Sequence, residues 1–325
     1  MQRRYLYIMD PINSINPRTD TTFYFMLESQ SRGIENLFCT IEDLINCDGK
    51  GFASVEHIQV SMPTNEGEAH FHLGKKETVA FDDCDVIFMR KDPPVDERFL
   101  AACMLLDCHN SHNTIVFNNP KGLRIANEKL WGLHVAAQYM PKTVVSSNLQ
   151  VLIEASQHLG RVVLKPLFGS GGGGILVMEK DDRNLRSALE LLTGNGKKPI
   201  MLQQYLPGAR QGDKRLILLG GKPIGALLRV PGADDHRANL HVGGEAQKSQ
   251  ITSTDEEIAK HLAPQLLALG LHFVGLDIID GKITEINVTS PTCLQEIDRL
   301  ENRQGKDKLN VQVLDYIDQL LLRMP

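Results

Sequence analysis

Short apolar runs bounded by turn residues recur in the first third of the chain and predict buried strands. Runs at residues 5–9 and 85–89 stop at Asp10-Pro11 and at Asp92-Pro93-Pro94, and a third run covers residues 114–117. Helical patterns separate these runs, which favours a doubly wound parallel sheet. Ligands of such sheets gather at the carboxyl ends of the strands, so the loops after the first two strands are candidate binding loops.

Capping residues predict where the helices begin and end. The predicted helices are one capped by Thr21 or Thr22 and stopped by Gly33, a helical stretch over residues 123–139 that carries Lys129, one from Asn148 to Gly160, and one that begins at a Thr254/Glu257 capping box and runs through Leu269.

The remainder of the chain alternates strands with glycine-containing turns. A glycine run at residues 169–174 separates two apolar strands, Gly220-Gly221 joins two more, and Asp280-Gly281 marks a last hairpin. The change of pattern near Leu123 predicts a domain boundary there, giving units at residues 1–122 and 123–325 in a mixed α/β and α+β protein.

Composition narrows the class of protein. With 325 residues and a formal net charge of −5, the chain has the balance of an ordinary globular protein, and nothing in it favours binding to nucleic acid or to an anionic membrane. No apolar run approaches the roughly 20 residues of a membrane span, and the N-terminus lacks the pattern of a signal peptide. The six cysteines contain no Cys-x-x-Cys pair, which fits a reducing cytoplasm.

The glycine run is the first candidate for chemistry. Residues Gly171, Gly172 and Gly173 belong to it, and glycine lets backbone amides approach a phosphate closely. Lys165 lies just before the run inside an apolar strand, where a lysine must find an anion or reach solvent. Together with Lys129 it could clamp a triphosphate. A plain hairpin loop and a surface Lys129 are the ordinary alternatives.

Next along the chain, an apolar strand turns polar at Gln203-Gln204-Tyr205-Leu206 and stops at Pro207. A strand edge of this kind could offer backbone groups to a planar base. A simple strand end explains the pattern equally well.

Oxygen ligands are concentrated near the last predicted hairpin. Alternation places Glu285 and Asn287 on one strand face, and Asp277 precedes the turn. Carboxylates and phosphates suit Mg²⁺. A regular two-residue turn would put Asp277 on the opposite face, so a shared metal site requires an odd loop or a bulge at residues 279–282. The alternative is a solvent-facing polar strip.

Arginines lie between these segments. Arg215 opens one strand, Arg229 ends the next, and Arg237 falls in a glycine-containing stretch, residues 231–244, that predicts a mobile loop. Arginines bind carboxylates and phosphates with two hydrogen bonds, although exposed arginines are common. The histidines show no metal-ligand spacing.

The order of these segments resembles that of the ATP-grasp ligases, and more closely that of the bacterial glutathione synthetase family. The matching motifs are Met9-Asp10-Pro11-Ile12, Phe88-Met89-Arg90-Lys91-Asp92-Pro93-Pro94, Asn127-Glu128-Lys129-Leu130, Leu164-Lys165-Pro166-Leu167, Gln203-Gln204-Tyr205-Leu206-Pro207, Gly212-Asp213-Lys214-Arg215, Phe273-Val274-Gly275-Leu276-Asp277-Ile278-Ile279 and Thr284-Glu285-Ile286-Asn287-Val288-Thr289-Ser290-Pro291-Thr292.

The resemblance implies a function and a fold. The substrates would be ATP, γ-glutamylcysteine and glycine, with two Mg²⁺ ions per site and Mn²⁺ as the alternative ion. The chain would form a homotetramer of three-part subunits: an N-terminal substrate domain, a lid at about residues 130–205, and a C-terminal ATP-grasp domain.

It also implies residue roles. Those for ATP are Lys129, Lys165, Gly171, Gly172, Gly173, Gln203, Gln204, Tyr205, Leu206 and Asp213; those for the other substrates are Asp10, Ile12, Ser14, Arg18, Arg90, Ser290 and Thr292; those for metal are Asp277, Glu285 and Asn287; and those for the reacting groups are Arg215, Arg229 and Arg237.

Two alternatives remain: another amino-acid ligase, such as a D-alanine–D-alanine ligase, and a non-catalytic nucleotide-binding protein. The Asp92-Pro93-Pro94 and Ser290-Pro291-Thr292 segments argue against the first. The filled metal-ligand positions argue against the second.

Overall fold

The computed structural model describes residues 2–65, 67–109, 114–126, 129–168, 173–232 and 244–324. They form three β-sheets with helices packed around them. No described helix is both long and apolar enough to cross a membrane.

The N-terminal unit is built on a seven-stranded sheet in the order β3-β4-β2-β1-β6-β7, with β5 paired to β4. Its strands are β1 (Arg4–Ile8), β2 (Glu35–Cys39), β3 (Leu44–Cys47), β4 (Lys50–Val60), β5 (Phe71–Ala80), β6 (Val86–Met89) and β7 (Ile115–Phe117). β1, β2, β6 and β7 run parallel, which confirms the predicted parallel sheet; β1, β6 and β7 are the three predicted strands, and β2 was not predicted. The antiparallel strands β3–β5 extend one edge and were not predicted, so the sheet is mixed.

Alternation along β1 explains why this sheet is covered on both faces. Tyr5 and Tyr7 belong to one apolar core with α1 (Thr21–Ser31), whereas Leu6 and Ile8 belong to another with α2 (Glu97–Leu106). Because successive side chains of a strand point to opposite faces, a fully apolar run requires cover on both sides.

A separate antiparallel sheet of four strands has its own small core, which includes Leu164, Leu189 and Leu202. Its order is β10-β9-β11-β8, and its elements are β8 (Thr143–Ser146), α5 (Leu149–Leu159), β9 (Val162–Pro166), β10 (Leu176–Met178), α6 (Leu185–Thr193) and β11 (Ile200–Gln204). This unit lies within the segment predicted as a lid.

The third sheet has five antiparallel strands in the order β14-β13-β12-β15-β16. Its strands are β12 (Asp213–Leu219), β13 (Lys222–Val230), β14 (Glu245–Lys248), β15 (Phe273–Ile279) and β16 (Lys282–Asn287). The helices outside the four-stranded unit are α3 (Pro120–Ile125), α4 (Leu130–Val135), α7 (Ser253–Ala268), α8 (Leu294–Glu301) and α9 (Leu309–Leu321).

Two predicted helix starts are wrong by one or two residues. Asp20, and neither Thr21 nor Thr22, caps α1, because its carboxylate accepts the Phe23 amide at 2.7 Å while both threonines are buried. In α7 the capping box is formed by Thr252 and Asp255. The sequence contains two overlapping Thr-x-x-acid patterns here, and the earlier one begins the helix. The cap Asn148 and the stop Gly160 of α5 are confirmed.

The predicted helical stretch at residues 123–139 is broken. Asn119 caps α3 with Pro120 in its first turn, and the backbone leaves the helical region at Ala126. Lys129 instead precedes α4, and a 3₁₀ turn at Ala137–Tyr139 follows. Lys129 therefore sits at a helix start.

Candidate active site

The β15–β16 hairpin brings the candidate metal ligands together. Asp277 pairs directly with Glu285, and Asn287 lies two positions along the same strand, opposite Gly275. Directly opposed residues share a face of the sheet, so the predicted common face is confirmed.

The extra residue that makes this register possible is Thr284, which lies between the pairs Ile278–Ile283 and Asp277–Glu285. The predicted position of the irregularity, residues 279–282, is wrong. Asp280 and Gly281 form a regular two-residue turn with positive φ values of 50° and 70°, and the bulge lies further along β16. The Thr284 hydroxyl donates to the Asp277 carbonyl at 3.2 Å.

Asp277 is held between two buried guanidinium groups. Its Oδ1 accepts from Arg215 Nε at 2.6 Å, and its Oδ2 lies 2.8 Å from Arg229 Nη2. Arg229 also forms a two-bond pair with Asp213, at 2.5 and 2.7 Å. Burial alone would raise the pKa of Asp277, but the two arginines outweigh burial and lower it. Two acids and two arginines thus form a neutral buried network.

Two lysines approach the same face from other elements. Lys129 Nζ lies 3.1 Å from Glu285 Oε1, and Lys165 Nζ donates to Gln203 Oε1 at 2.8 Å. Burial lowers the pKa of Lys165 and neighbouring Lys129 lowers it further, while Glu285, Asp277 and Asp213 act to raise it. The sheet with Lys165 therefore faces the acid network of the five-stranded sheet.

These side chains fit a divalent cation that binds oxygen. Asp277 receives three N–H contacts, and a carboxylate has about four acceptor sites, which leaves one. The side-chain nitrogen of Asn287 is buried with no partner among the described residues, and rotation of the amide would present its oxygen there. No group of three or more His, Cys, Asp or Glu side chains suits a metal in the described part of the chain. The amide of Asn287 would thus complete a set of two carboxylates.

A second cluster lies at the carboxyl ends of β1 and β6. The Asp10 carboxylate accepts the Asp92 amide at 2.9 Å and pairs with Lys91 at 2.8 Å, while Ser290 donates its hydroxyl to Asp92. The predicted binding loops therefore meet the segment after β16. The sequence placed Asp92 in a candidate binding loop, residues 90–94, because the loop follows a parallel strand, but it gave Asp92 itself no individual role.

Arg90 is buried within this cluster. Its guanidinium donates to Thr22 Oγ1 at 3.1 Å and to the Pro291 carbonyl at 2.9 Å, between the rings of Phe25 and Phe273. Its Nη1 is buried and has no partner among the described residues. Burial lowers the pKa of Arg90 to about 10, against the opposing effect of nearby acids.

The first loop is less well placed than predicted. Ile12 is buried in the core, so only its backbone can meet a ligand, and its carbonyl already contacts His70 Nε2 at 3.0 Å. The Ser14 hydroxyl donates to Pro11 within the loop, and Arg18 donates to Pro63 at 3.2 Å. These contacts tie the loop to the β4–β5 connection, for which sequence reasoning had no role.

Thr292 stands at the end of the segment after β16, where its hydroxyl lies 3.8 Å from the Cys293 sulfur. Gly173 is exposed at the start of a described segment. Gly171, Gly172 and Arg237 lie outside the described residues, as do most residues of the two predicted loops.

The predicted base-binding edge follows β11. The amides of Gln204 and Tyr205 donate to the carbonyls of Lys142 and Arg161, which leaves the Leu206 amide as the candidate to meet a base. The Arg161 guanidinium stacks on the Tyr205 ring at 4.1 Å, a contact that sequence reasoning missed because the two residues lie at the ends of different strands, β9 and β11.

This arrangement has the fold of the ATP-grasp enzymes. Structures with a similar fold include D-cycloserine synthetase DcsG, at 16% identity and a TM-score of 0.65 over 99% of this chain and 100% of that one. Another is an ATP-grasp RimK domain protein from Sphaerobacter thermophilus DSM 20745, at 15% identity and a TM-score of 0.62 over 96% and 98%. The family model of an ATP-grasp domain matches residues 128–302, and the chain is an ATP-dependent ligase of the ATP-grasp class.

Sequence comparison defines the family. Models of the N-terminal domain and of the ATP-grasp domain of prokaryotic glutathione synthetase match residues 4–124 and 128–302. A glutathione synthetase from Synechocystis is 42% identical over 93% of this chain and 96% of the relative, and one from Agrobacterium fabrum is 38% identical over 89% of each. The chain belongs to the prokaryotic glutathione synthetase family.

Proposed function

We propose that this protein joins the cysteine carboxylate of γ-glutamylcysteine to the amine of glycine. ATP would be cleaved to ADP and phosphate, and glutathione would form through an acyl phosphate. The observation that carries the proposal is the Asp277–Glu285 pair, in which two buried arginines contact Asp277 and Lys129 of another element contacts Glu285. Family membership supplies the substrates.

Such a reaction needs groups that gather anions. A carboxylate acylates poorly because its leaving group would be oxide, whereas transfer of the γ-phosphoryl group makes phosphate the leaving group. Amine attack on the acyl phosphate passes through a tetrahedral state that carries negative charge. Positioning and fixed positive charge therefore account for most of the catalysis.

Arg215 and Arg229 are suited to the charge that develops. Their Nε and Nη2 atoms are engaged by Asp277 and Asp213, so both guanidinium groups are fixed in orientation. The Nη1 atom of each takes no part in these pairs and would donate to the phosphoryl and tetrahedral oxygens. Groups oriented in advance need no reorganisation during the reaction.

Lys129 and Lys165 would bind ATP phosphates. Burial lowers the pKa of Lys165, and a phosphate beside it would act in the opposite direction by stabilising the charged form of the lysine. Lys129 would exchange its contact with Glu285 for a phosphate oxygen.

Asp277, Glu285 and Asn287 would hold Mg²⁺, two ions per site, with Mn²⁺ as the alternative. Bound there, the ions would neutralise phosphate charge next to the arginines. Among the described residues the carboxylate of Glu285 contacts Lys129 and no arginine, so it could turn from Lys129 to a cation.

The test is ADP release with ATP, Mg²⁺ and γ-glutamylcysteine, measured with and without glycine. We expect release to require both substrates and glutathione to appear in equal amount. The variant Asp277→Asn should lose this activity if Asp277 binds metal. Asp280→Asn is its matched control, because it replaces an acid in the turn of the same hairpin, and Asn tolerates the positive φ found there. ADP release with D-alanine alone, and none with the dipeptide plus glycine, would contradict the substrate assignment.

A homotetramer and a cytoplasmic location complete the proposal. The homotetramer comes from the family resemblance, and the cytoplasmic location comes from the spacing of the cysteines. Sedimentation of the purified protein at micromolar concentration would test the first, and fractionation of cells would test the second.

A further inference from the structure

Asn118 lies where the N-terminal sheet meets the hairpin of candidate metal ligands. It directly follows β7, is only 4% exposed, and its side chain makes four hydrogen bonds to the backbone of the ATP-grasp unit. Its Nδ2 donates to the carbonyls of Phe273 and Val288 at 2.7 and 2.8 Å. Its Oδ1 accepts the amides of His272 and Phe273, both at 2.9 Å. The Asn118 side chain therefore uses both of its N–H donors and both acceptor positions of its oxygen on the backbone of this one part of the ATP-grasp unit.

These bonds join the two strands of the hairpin beyond the point where their backbone pairing ends. The last registered pair at the open end of the hairpin is Gly275 with Asn287, and Phe273 and Val288 lie beyond it. There the amide of Asn118 joins the two strands by bridging their carbonyls. Without the Nδ2 donor, two buried carbonyl oxygens would lack a partner, which favours separation of the strands.

We propose that Asn118 is a positioning residue for the reaction: it fixes the end of β16, and through it the side chains of Asn287 and Ser290. Val288, which Asn118 holds, is one residue from Asn287 and two from Ser290. A displacement of Val288 would move both a candidate metal ligand and the loop that contacts Asp92. This inference rests on the proposed function, because the roles of Asn287 and Ser290 do.

A buried amide could also serve stability alone, and Asn36 provides the comparison. It is equally buried, at 4% exposure, and lies on β2 of the same sheet. Its Nδ2 donates to the Met26 carbonyl at 2.9 Å and its Oδ1 accepts from Ser29 Oγ at 2.6 Å. All these partners belong to the N-terminal unit, so loss of Asn36 should reduce stability without moving the hairpin.

The experiment compares Asn118→Ala, Asn118→Asp and Asn36→Ala in the full chain. Asn118→Asp keeps the shape and one acceptor oxygen but removes the Nδ2 donor. The dissociation constant of ATP is measured by calorimetry in Mg²⁺ and again in EDTA, with the melting temperature and the KM of each substrate. In EDTA nucleotide binding would depend on Lys165 and the four-stranded sheet, whereas the four hydrogen bonds of the Asn118 side chain go to His272, Phe273 and Val288.

We expect the Asn118 variants to weaken ATP binding in Mg²⁺ by about tenfold, as for one lost buried hydrogen bond, with a change under about twofold in EDTA. The KM of the dipeptide should rise, and Asn36→Ala should change only the melting temperature. Equal weakening with and without Mg²⁺, unchanged binding in both, or failure of both Asn118 variants to fold would each overturn the positioning role. If the wild-type protein binds ATP with Mg²⁺ but makes no glutathione, the proposed function fails while the Asn118 comparison still stands.

Discussion

Replacement of Asp277 by Asn should reduce stability as well as activity. Asp277 is 5% exposed and receives three N–H contacts from Arg215 and Arg229, so its charge balances part of a buried network. Asn has nearly the same shape, but it carries no charge, so within this network only Asp213 would balance the positive charges of the two arginines. From the sequence one would expect such a variant to keep its stability, since a metal ligand need not belong to the core. The ion pairs seen in the structure instead predict a loss of stability.

The size of the effect follows from burial. Breaking a buried ion pair by removing one partner typically costs about 3–5 kcal/mol, because the remaining charge has no compensation. Glu285 is the matched case on the opposite strand: its side chain is 27% exposed, and it pairs with Lys129, whose side chain is 7% exposed. Because Glu285 itself is partly in contact with solvent, Glu285→Gln should cost less stability than Asp277→Asn. Both variants should lose turnover if both residues bind metal.

The assay is thermal or urea unfolding of both variants beside ADP release. Asp277→Asn should melt several degrees lower than wild type, and Glu285→Gln should melt by fewer degrees below it. Because the folded pKa of Asp277 is lowered, its contribution is present above the ordinary carboxyl pKa of about 4 and is lost as the pH falls below it. The gap between wild type and Asp277→Asn should therefore be constant from pH 6 to 8 and narrow in acid. Equal melting temperatures for wild type and Asp277→Asn would refute the role of the charge network, and normal turnover of Glu285→Gln at low Mg²⁺ would refute the metal role.

Three further changes test other parts of the structure. Lys165→Met should weaken ATP binding. In the wild type, ATP affinity should decline as the pH rises through the lowered pKa of Lys165, because the lysine loses its charge. Calorimetry across pH should find no such decline in the variant. Arg90→Lys should raise the KM of the dipeptide more than that of ATP, because the guanidinium joins Thr22 to Pro291 away from the lysines; an equal change in both would contradict this. Thr252→Ala should lower the free energy of unfolding by about 1 kcal/mol and Thr254→Ala should change it little, since only Thr252 caps α7; the reverse order in urea unfolding would contradict the assignment.

The elements that the sequence predicted well are those whose signal is local. The parallel strands carry continuous apolar runs, and both the cap and the stop of α5 are defined by one residue each. The antiparallel extension β3–β5 escaped because its strands are partly exposed and mix polar with apolar positions. In α7 two overlapping capping patterns competed, and local sequence does not distinguish them.

The candidate site shows the same division. The prediction that three residues share a face, Asp277, Glu285 and Asn287, used strand parity. A metal site common to all three demands one extra residue in the hairpin, and the structure has one. Where that residue falls did not follow, since Asp280-Gly281 suits a regular two-residue turn and any position along β16 could carry the bulge.

The partners of the buried acids lay beyond the reach of sequence reasoning for a different reason. Asp277 meets Arg215 across the β12–β15 pair and Arg229 from the next strand beyond, so the network depends on strand order and register between segments about 50 to 60 residues apart. The network also determines the net charge and the orientation that Arg215 and Arg229 present before any substrate binds. They are already neutralised and fixed by acids of the chain itself, so a phosphate that enters meets oriented donors with little net positive charge. Recognition at this site should therefore depend on the geometry of the donors more than on overall attraction, and the contribution of a cation bound at Glu285 and Asn287 becomes correspondingly larger.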